Sequence, residues 1–137
     1  MDRRLIADTS GIIAFLDRDD YYHSSVVDVI KKHQIYIPVT VLPEVDYLAT
    51  KYLGERVART FLEDLADGYF KYLPIELNDI NKTTKIMERY KDLPLGFVDA
   101  SLIILAERYK IRKILTLDRR HFNLIQSDYF KYLELFP

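Results

Sequence analysis

The stretch LIADTSG, residues 5–11, decides the fold. A short apolar run ends in an acid, and residues that open helices follow at once. Arg4 to Ala7 reads as a buried strand. Ser10 can cap a helix running to about Leu16. The same pattern returns near the other end as ILTLDRRHF, residues 114–122. There Lys113 to Leu117 reads as a strand, and Asp118 stands at its end. Two strands that each finish in a carboxylate suggest one sheet edge furnished with acids.

The chain between them alternates strands and helices. Ser24 to His33 places Val26, Val27 and Ile30 at helical spacing. Ile35 to Val39 reads as a second strand. Thr40 can cap the next helix, where Leu42, Val45, Leu48, Ala49 and Tyr52 share a face. Pro43 is tolerated there because first-turn amides have no partner within the helix. A helix over Glu55 to Ala66 is closed by Gly68. Phe70 to Leu73 reads as a third strand, and Asn78 can cap a helix to about Tyr90. Phe97 to Tyr109 has an almost wholly apolar middle, Leu102 to Ala106, so it should be buried. Tyr129 to Leu135 reads as a fifth strand. Strands separated by helices imply βαβ units and a mainly parallel sheet. In such sheets the ligand crevice lies beyond the carboxyl ends of the strands, where strand order reverses. Asp8 and Asp118 should both reach that edge. Glu44 and Asp99 fall in the first turns of two helices.

Bulk properties narrow the function. The 137 residues suit one domain, residues 1–137, with no repeat or linker. A net charge of −1 is no signature of a global nucleic-acid binder, so such binding needs a local patch. The absence of cysteine excludes disulfides, thiolate catalysis and cysteine zinc sites. It suits a cytoplasmic protein. No stretch approaches the roughly 20 apolar residues of a membrane span.

Four carboxylates brought to one place repel unless something positive neutralises them. An oxygen-rich site without cysteine or matched histidines favours Mg²⁺ or Mn²⁺. Taken singly, each acid also has a structural explanation. Asp8 can cap or turn the Thr9-Ser10 segment. Glu44 suits the positive end of its helix. Asp99 leads into a buried helix and needs partners there. Asp118 can open a turn. Jointly the four favour a site. Thr116 shares a strand face with Asp118, and its hydroxyl can orient a carboxylate or a water, as can that of Ser10. His23 and His33 read as surface residues, and His121 lies near the site. Arg108, Lys110, Arg112, Lys113, Arg119 and Arg120 read either as a solvated helix end and loop or as a phosphate track. The eleven tyrosines read first as core and rim packing.

Four segments in order, LIADTSGIIAFLDRDDYYH, PVTVLPEV, LGFVDASLIILAERY and ILTLDRRHF, make the chain resemble a PIN-domain endoribonuclease. The likeness is to the VapC-type toxins of toxin–antitoxin pairs, and it spans nearly the whole chain. The family pattern maps its acids onto Asp8, Glu44, Asp99 and Asp118, and its polar helpers onto Ser10 and Thr116. The resemblance implies a three-layer α/β/α fold with a five-stranded, mainly parallel sheet of order 3-2-1-4-5. It implies RNA as substrate, a homodimer, and a small antitoxin as partner. It also implies hydrolysis that leaves 5′-phosphate and 3′-hydroxyl ends. On this reading Asp8 and Asp99 hold the Mg²⁺ or Mn²⁺, and Glu44 and Asp118 bind through water or complete a second metal site. The competing expectation is a non-catalytic RNA- or partner-binding domain of the same fold. A phospho-acceptor receiver domain needs an acidic pair after its first strand. Here Asp8 is followed by Thr9, which argues against that class.

Overall fold

The computed structural model describes residues 1–93, 95–125 and 133–137. Five strands, β1 (Arg4–Ala7), β2 (Gln34–Pro38), β3 (Lys71–Leu73), β4 (Lys113–Leu115) and β5 (Glu134–Phe136), form one sheet. Their order is β3-β2-β1-β4-β5, and every pairing is parallel. Around them run α1 (Thr9–Leu16), α2 (His23–Lys32), α3 (Leu42–Leu53), α4 (Glu55–Ala66), α5 (Leu77–Arg89), α6 (Phe97–Tyr109) and α7 (Arg119–Leu124). The expected strand order holds. The chain steps outward from β1 to β3, then returns across β1 to lay down β4 and β5. The order therefore reverses between β1 and β4, and the crevice is expected there.

The sequence explains why β1 is central. Leu5, Ile6 and Ala7 are all buried, as a strand covered on both faces requires. α6 is buried without a break from Ala100 to Ala106. Full burial of a Leu or Ile contributes roughly 1.5–3 kcal/mol, so this helix and the strands beside it hold much of the core.

α1 crosses β4 at close range. A Cβ on Gly11 would stand 2.7 Å from Leu115 Cγ and 2.9 Å from the Leu115 carbonyl oxygen. The carbonyl belongs to a paired strand and cannot swing aside. Gly11→Ala should therefore cost about 1–3 kcal/mol through overpacking. A denaturant titration of both proteins would measure it. An unchanged midpoint would show that the α1–β4 contact is looser than this.

Several boundaries differ from the sequence reading. The α1 cap is Asp8, which accepts the Gly11 amide; Ser10 sits inside the helix. Thr40 caps nothing, because Val39–Val41 forms a 3₁₀ turn before α3. Its hydroxyl instead lies 2.8 Å from that of Ser101, tying the entry of α3 to α6. Glu76 and Asp79, rather than Asn78, form the capping box of α5. β4 ends two residues early, at Leu115. Strand five is seen over Glu134–Phe136; positions 129–132 of its expected span lie outside the described residues. α7 stands where only a turn was expected. His23 and His33 are half-buried rather than surface groups, each with Nδ1 against a backbone carbonyl, of Ala14 and Val29 respectively. The His121 side chain lies outside the described part. Among the described residues, no helix is long and apolar enough to cross a membrane.

Candidate active site

β1 and β4 place the first two groups. Ala7 pairs with Leu115, so Asp8 and Thr116 are the next residues along adjacent strands. The Asp8 amide donates to the Leu115 carbonyl at 3.0 Å, and the Thr116 amide donates to Phe136 at 2.8 Å. Asp8 is 5% exposed, and Thr116 is fully buried.

Two hydroxyls then bind this carboxylate to the loop after β4. Ser10 accepts the Leu117 amide at 2.9 Å and donates to Asp8 Oδ1 at 2.7 Å. Thr116 accepts the Asp118 amide at 3.0 Å and donates to Asp8 Oδ2. Each relays one backbone N–H of the loop to one carboxylate oxygen. The Gly11 amide adds a 2.8 Å bond to Oδ1. Ser10 and Thr116, whose hydroxyls the sequence offers to a carboxylate or a water, both bond the Asp8 carboxylate.

Burial pushes the Asp8 carboxyl up to about 6, well above the usual 3.8. The bonds from Thr116, Gly11 and Ser10 pull the other way, and the Asp99 carboxylate adds a further upward push.

The four acids line one cleft of about 330 Å³, with Thr9, Ser10, Gly96, Phe97 and Val98. Asp8 is the cap of α1, and Asp118 occupies the cap position of α7. Glu44 and Asp99 are each the third residue of their helix, α3 and α6. Four helix N-termini thus converge on the cleft. Their unpaired amides and dipoles favour negative charge, each by about 0.3–1 kcal/mol. This is one reason the fold tolerates four acids together. Glu44 is exposed, and Asp99 and Asp118 are half-buried. Arg120 approaches Asp118 at 3.3 Å as a surface pair.

The donor set fits a hard cation. Among the described residues, every side-chain donor in the cleft is an oxygen. Thr9 is buried, and its hydroxyl has no hydrogen-bond partner among the described residues. An orphaned hydroxyl of that kind costs about 1–3 kcal/mol, which a bound group would recover. Asp8 Oδ2 accepts one bond and retains acceptor capacity. Among the described residues no three acids close into a ready-made ligand group. That openness suits an ion that keeps several waters and takes only one or two carboxylates.

The basic segment does not form one track. Arg108, Lys110 and Arg112 precede β4, Lys113 opens it, and Arg119 and Arg120 follow it. Arg108 is held by Asp79 at 2.7 Å and Glu76 at 3.0 Å. Arg112 faces Glu134, and Lys113 donates to the Asp2 carbonyl. Thr9 and Phe97 are cleft residues that the sequence reading missed. Thr9 had a signal, since it sits between Asp8 and Ser10. Phe97 had none beyond its place two residues before Asp99.

Comparison with known proteins bears on the same region. The PIN-domain family model matches residues 5–126, a span that includes every acid of the cleft. This chain belongs to the PIN-domain family. Ribonuclease VapC26 of Mycobacterium tuberculosis is 33% identical over 124 residues, covering 89% of this chain and 92% of that relative. The crystal structure of M. tuberculosis VapC20, described as a sarcin–ricin loop cleaving toxin, superposes with a TM-score of 0.78. It has 17% identity and covers 85% of this chain and 91% of that one. A toxin–antitoxin complex from Klebsiella pneumoniae contains a chain with a TM-score of 0.67 and 21% identity, covering 88% of this chain and 92% of that one. At such identities the two structures speak for the PIN fold.

Proposed function

We propose that this chain is a metal-dependent endoribonuclease and the toxin of a toxin–antitoxin pair. The observation that carries the reading is the convergence of Asp8, Glu44, Asp99 and Asp118 on one cleft at the point of strand reversal. Likeness to a VapC ribonuclease over most of the chain supports the substrate class. Likeness to toxin–antitoxin complexes supports a small antitoxin partner. A homodimer is part of the same reading. Exposed Tyr47, Tyr52, Leu77 and Ile80 offer apolar surface for it.

In this mechanism Asp8 and Asp99 would hold Mg²⁺ or Mn²⁺, and Glu44 and Asp118 would bind it through water or complete a second metal site. When bound, such an ion polarises the scissile phosphate and acidifies a water for in-line attack. Ser10 and Thr116 fix the Asp8 carboxylate, so its remaining acceptor capacity stays turned to the cleft. Among the described residues no side chain caps α6. Its first-turn amides can therefore bind a phosphate oxygen. The water's hydroxyl joins phosphorus, the bond from phosphorus to the 3′-oxygen breaks, and that oxygen takes up the water's remaining proton, giving 5′-phosphate and 3′-hydroxyl ends.

Purified protein incubated with total RNA should release discrete fragments with Mg²⁺ or Mn²⁺ and none with EDTA. The same ions should raise the melting temperature, by mass action on the folded state. RNA bound without cleavage under any ion would leave the non-catalytic alternative standing.

A further inference from the structure

We infer that Phe97 is a stacking platform for a nucleobase next to the scissile phosphate. The inference rests on the RNA-cleaving reading and adds a substrate contact to it. Phe97 is the first residue of α6, two before Asp99, and it lines the acid cleft. It is 40% exposed, while its neighbours Leu95 and Val98 pack against the core. Core packing therefore does not explain a large apolar ring at this position. Its chemistry also differs from that of its surroundings. Among the described residues, the rest of the cleft supplies carboxylates, hydroxyls and backbone, with Val98 as the one aliphatic side chain. Such groups suit a phosphate and a cation, and none offers a surface to a base.

Each nucleotide of a single strand brings a phosphate and a flat base on a short tether. A site that places the phosphate among the acids puts the adjoining base within reach of the cleft wall. Aromatic side chains bind single strands by stacking, with little regard to sequence because every base has a π-face. Tyr47 is the rival platform. It is 61% exposed and lies one turn beyond Glu44 on α3. However, Tyr47 does not line the acid cleft, and Lys51 Nζ lies between its ring and that of Tyr52, 5.7 and 5.2 Å from the two centroids. Among the described residues no cation or aromatic ring engages Phe97. The geometry therefore favours Phe97.

The test uses a short single-stranded RNA containing one mapped cleavage position, with abasic versions at each flanking nucleotide. Wild type, Phe97→Ala, Phe97→Leu and Phe97→Trp are compared for KM and kcat. Binding is measured in parallel by anisotropy on Asp99→Asn, with and without Phe97→Ala. Phe97→Ala and Phe97→Leu should raise KM roughly 5- to 100-fold with kcat little changed, and Phe97→Trp should restore it. One abasic substrate should cost wild type a similar factor and cost Phe97→Ala almost nothing. Several results would overturn the inference: unchanged KM in Phe97→Ala, a penalty that persists on both abasic substrates, or a changed oligomeric state showing the ring to be a subunit contact. Wild type that binds RNA without cutting it sinks the nuclease reading alone, and the anisotropy series then decides for or against Phe97. Wild type that neither binds nor cuts RNA sinks both.

Discussion

Asp99→Asn should lower kcat/KM for RNA cleavage by about 10²–10³-fold, while the folded structure persists. That is the usual scale for removing one electrostatic group aimed at a reacting centre. Asn has nearly the same shape, so packing at the start of α6 is conserved. What disappears is one negative charge lining the cleft. Two independent readouts separate a lost metal ligand from a lost fold. Circular dichroism and the unfolding midpoint should stay close to wild type, and the Mg²⁺-induced rise in melting temperature should shrink. The substitution also removes a like charge that pushes the Asp8 carboxyl upward. The acidic limb of any residual activity should therefore move to lower pH. Full activity in Asp99→Asn would remove Asp99 from the site. Lost activity with an unchanged metal response would assign it a role other than holding the ion.

The fold was legible because its signals are local and repeated. β1 is apolar on both faces, α6 is apolar along its middle, and an acid follows the central strands. Those patterns place the sheet edge and bring Asp8 and Asp118 to it. What stayed hidden depends on contacts distant in sequence. No spacing rule shows that Ser10 meets the loop after β4, since its partner Leu117 is 107 residues away. Both Asp8 and Ser10 are good caps, so the sequence leaves the capping of α1 open between them. The extended backbone of Asp8 and its bond from the Gly11 amide make it the cap. The basic segment was read partly as a phosphate track because its acidic partners are far off. Glu76, Asp79 and Glu134 engage Arg108 and Arg112 only once α5, α6 and the sheet assemble. α7 escaped notice because it is six residues long and its cap position makes no side-chain bond.

Asp8→Asn should abolish cleavage and yet make the metal-free protein more stable at neutral pH. In the folded state the Asp8 carboxyl titrates near 6, against 3.8 for the ordinary group. A raised carboxyl binds its proton more tightly when folded. Its contribution is therefore fully favourable below pH 3.8 and is lost as the pH rises through about 6. Above that point, keeping the ionised group buried costs about 3 kcal/mol from a shift of this size. Asn carries no charge and avoids that cost. Its carbonyl can still accept from Ser10 and Gly11. Its amide can donate to Thr116, whose hydroxyl then turns to the Asp118 carbonyl 3.2 Å away. The gain should be read from urea midpoints of both proteins in EDTA between pH 4 and 8. The two curves should lie close at pH 4 and separate as pH rises toward 7, with Asn the more stable. Adding Mg²⁺ should bring them together again, because the ion stabilises only the protein that retains the carboxylate. A constant gap at every pH would mean that shape, not charge, sets the difference. An Asn variant less stable throughout would mean that the hydrogen bonds to Asp8 outweigh its desolvation. If the gap opens with pH and closes with Mg²⁺, this carboxylate is held at a cost to the fold, which a purely structural cap would not require.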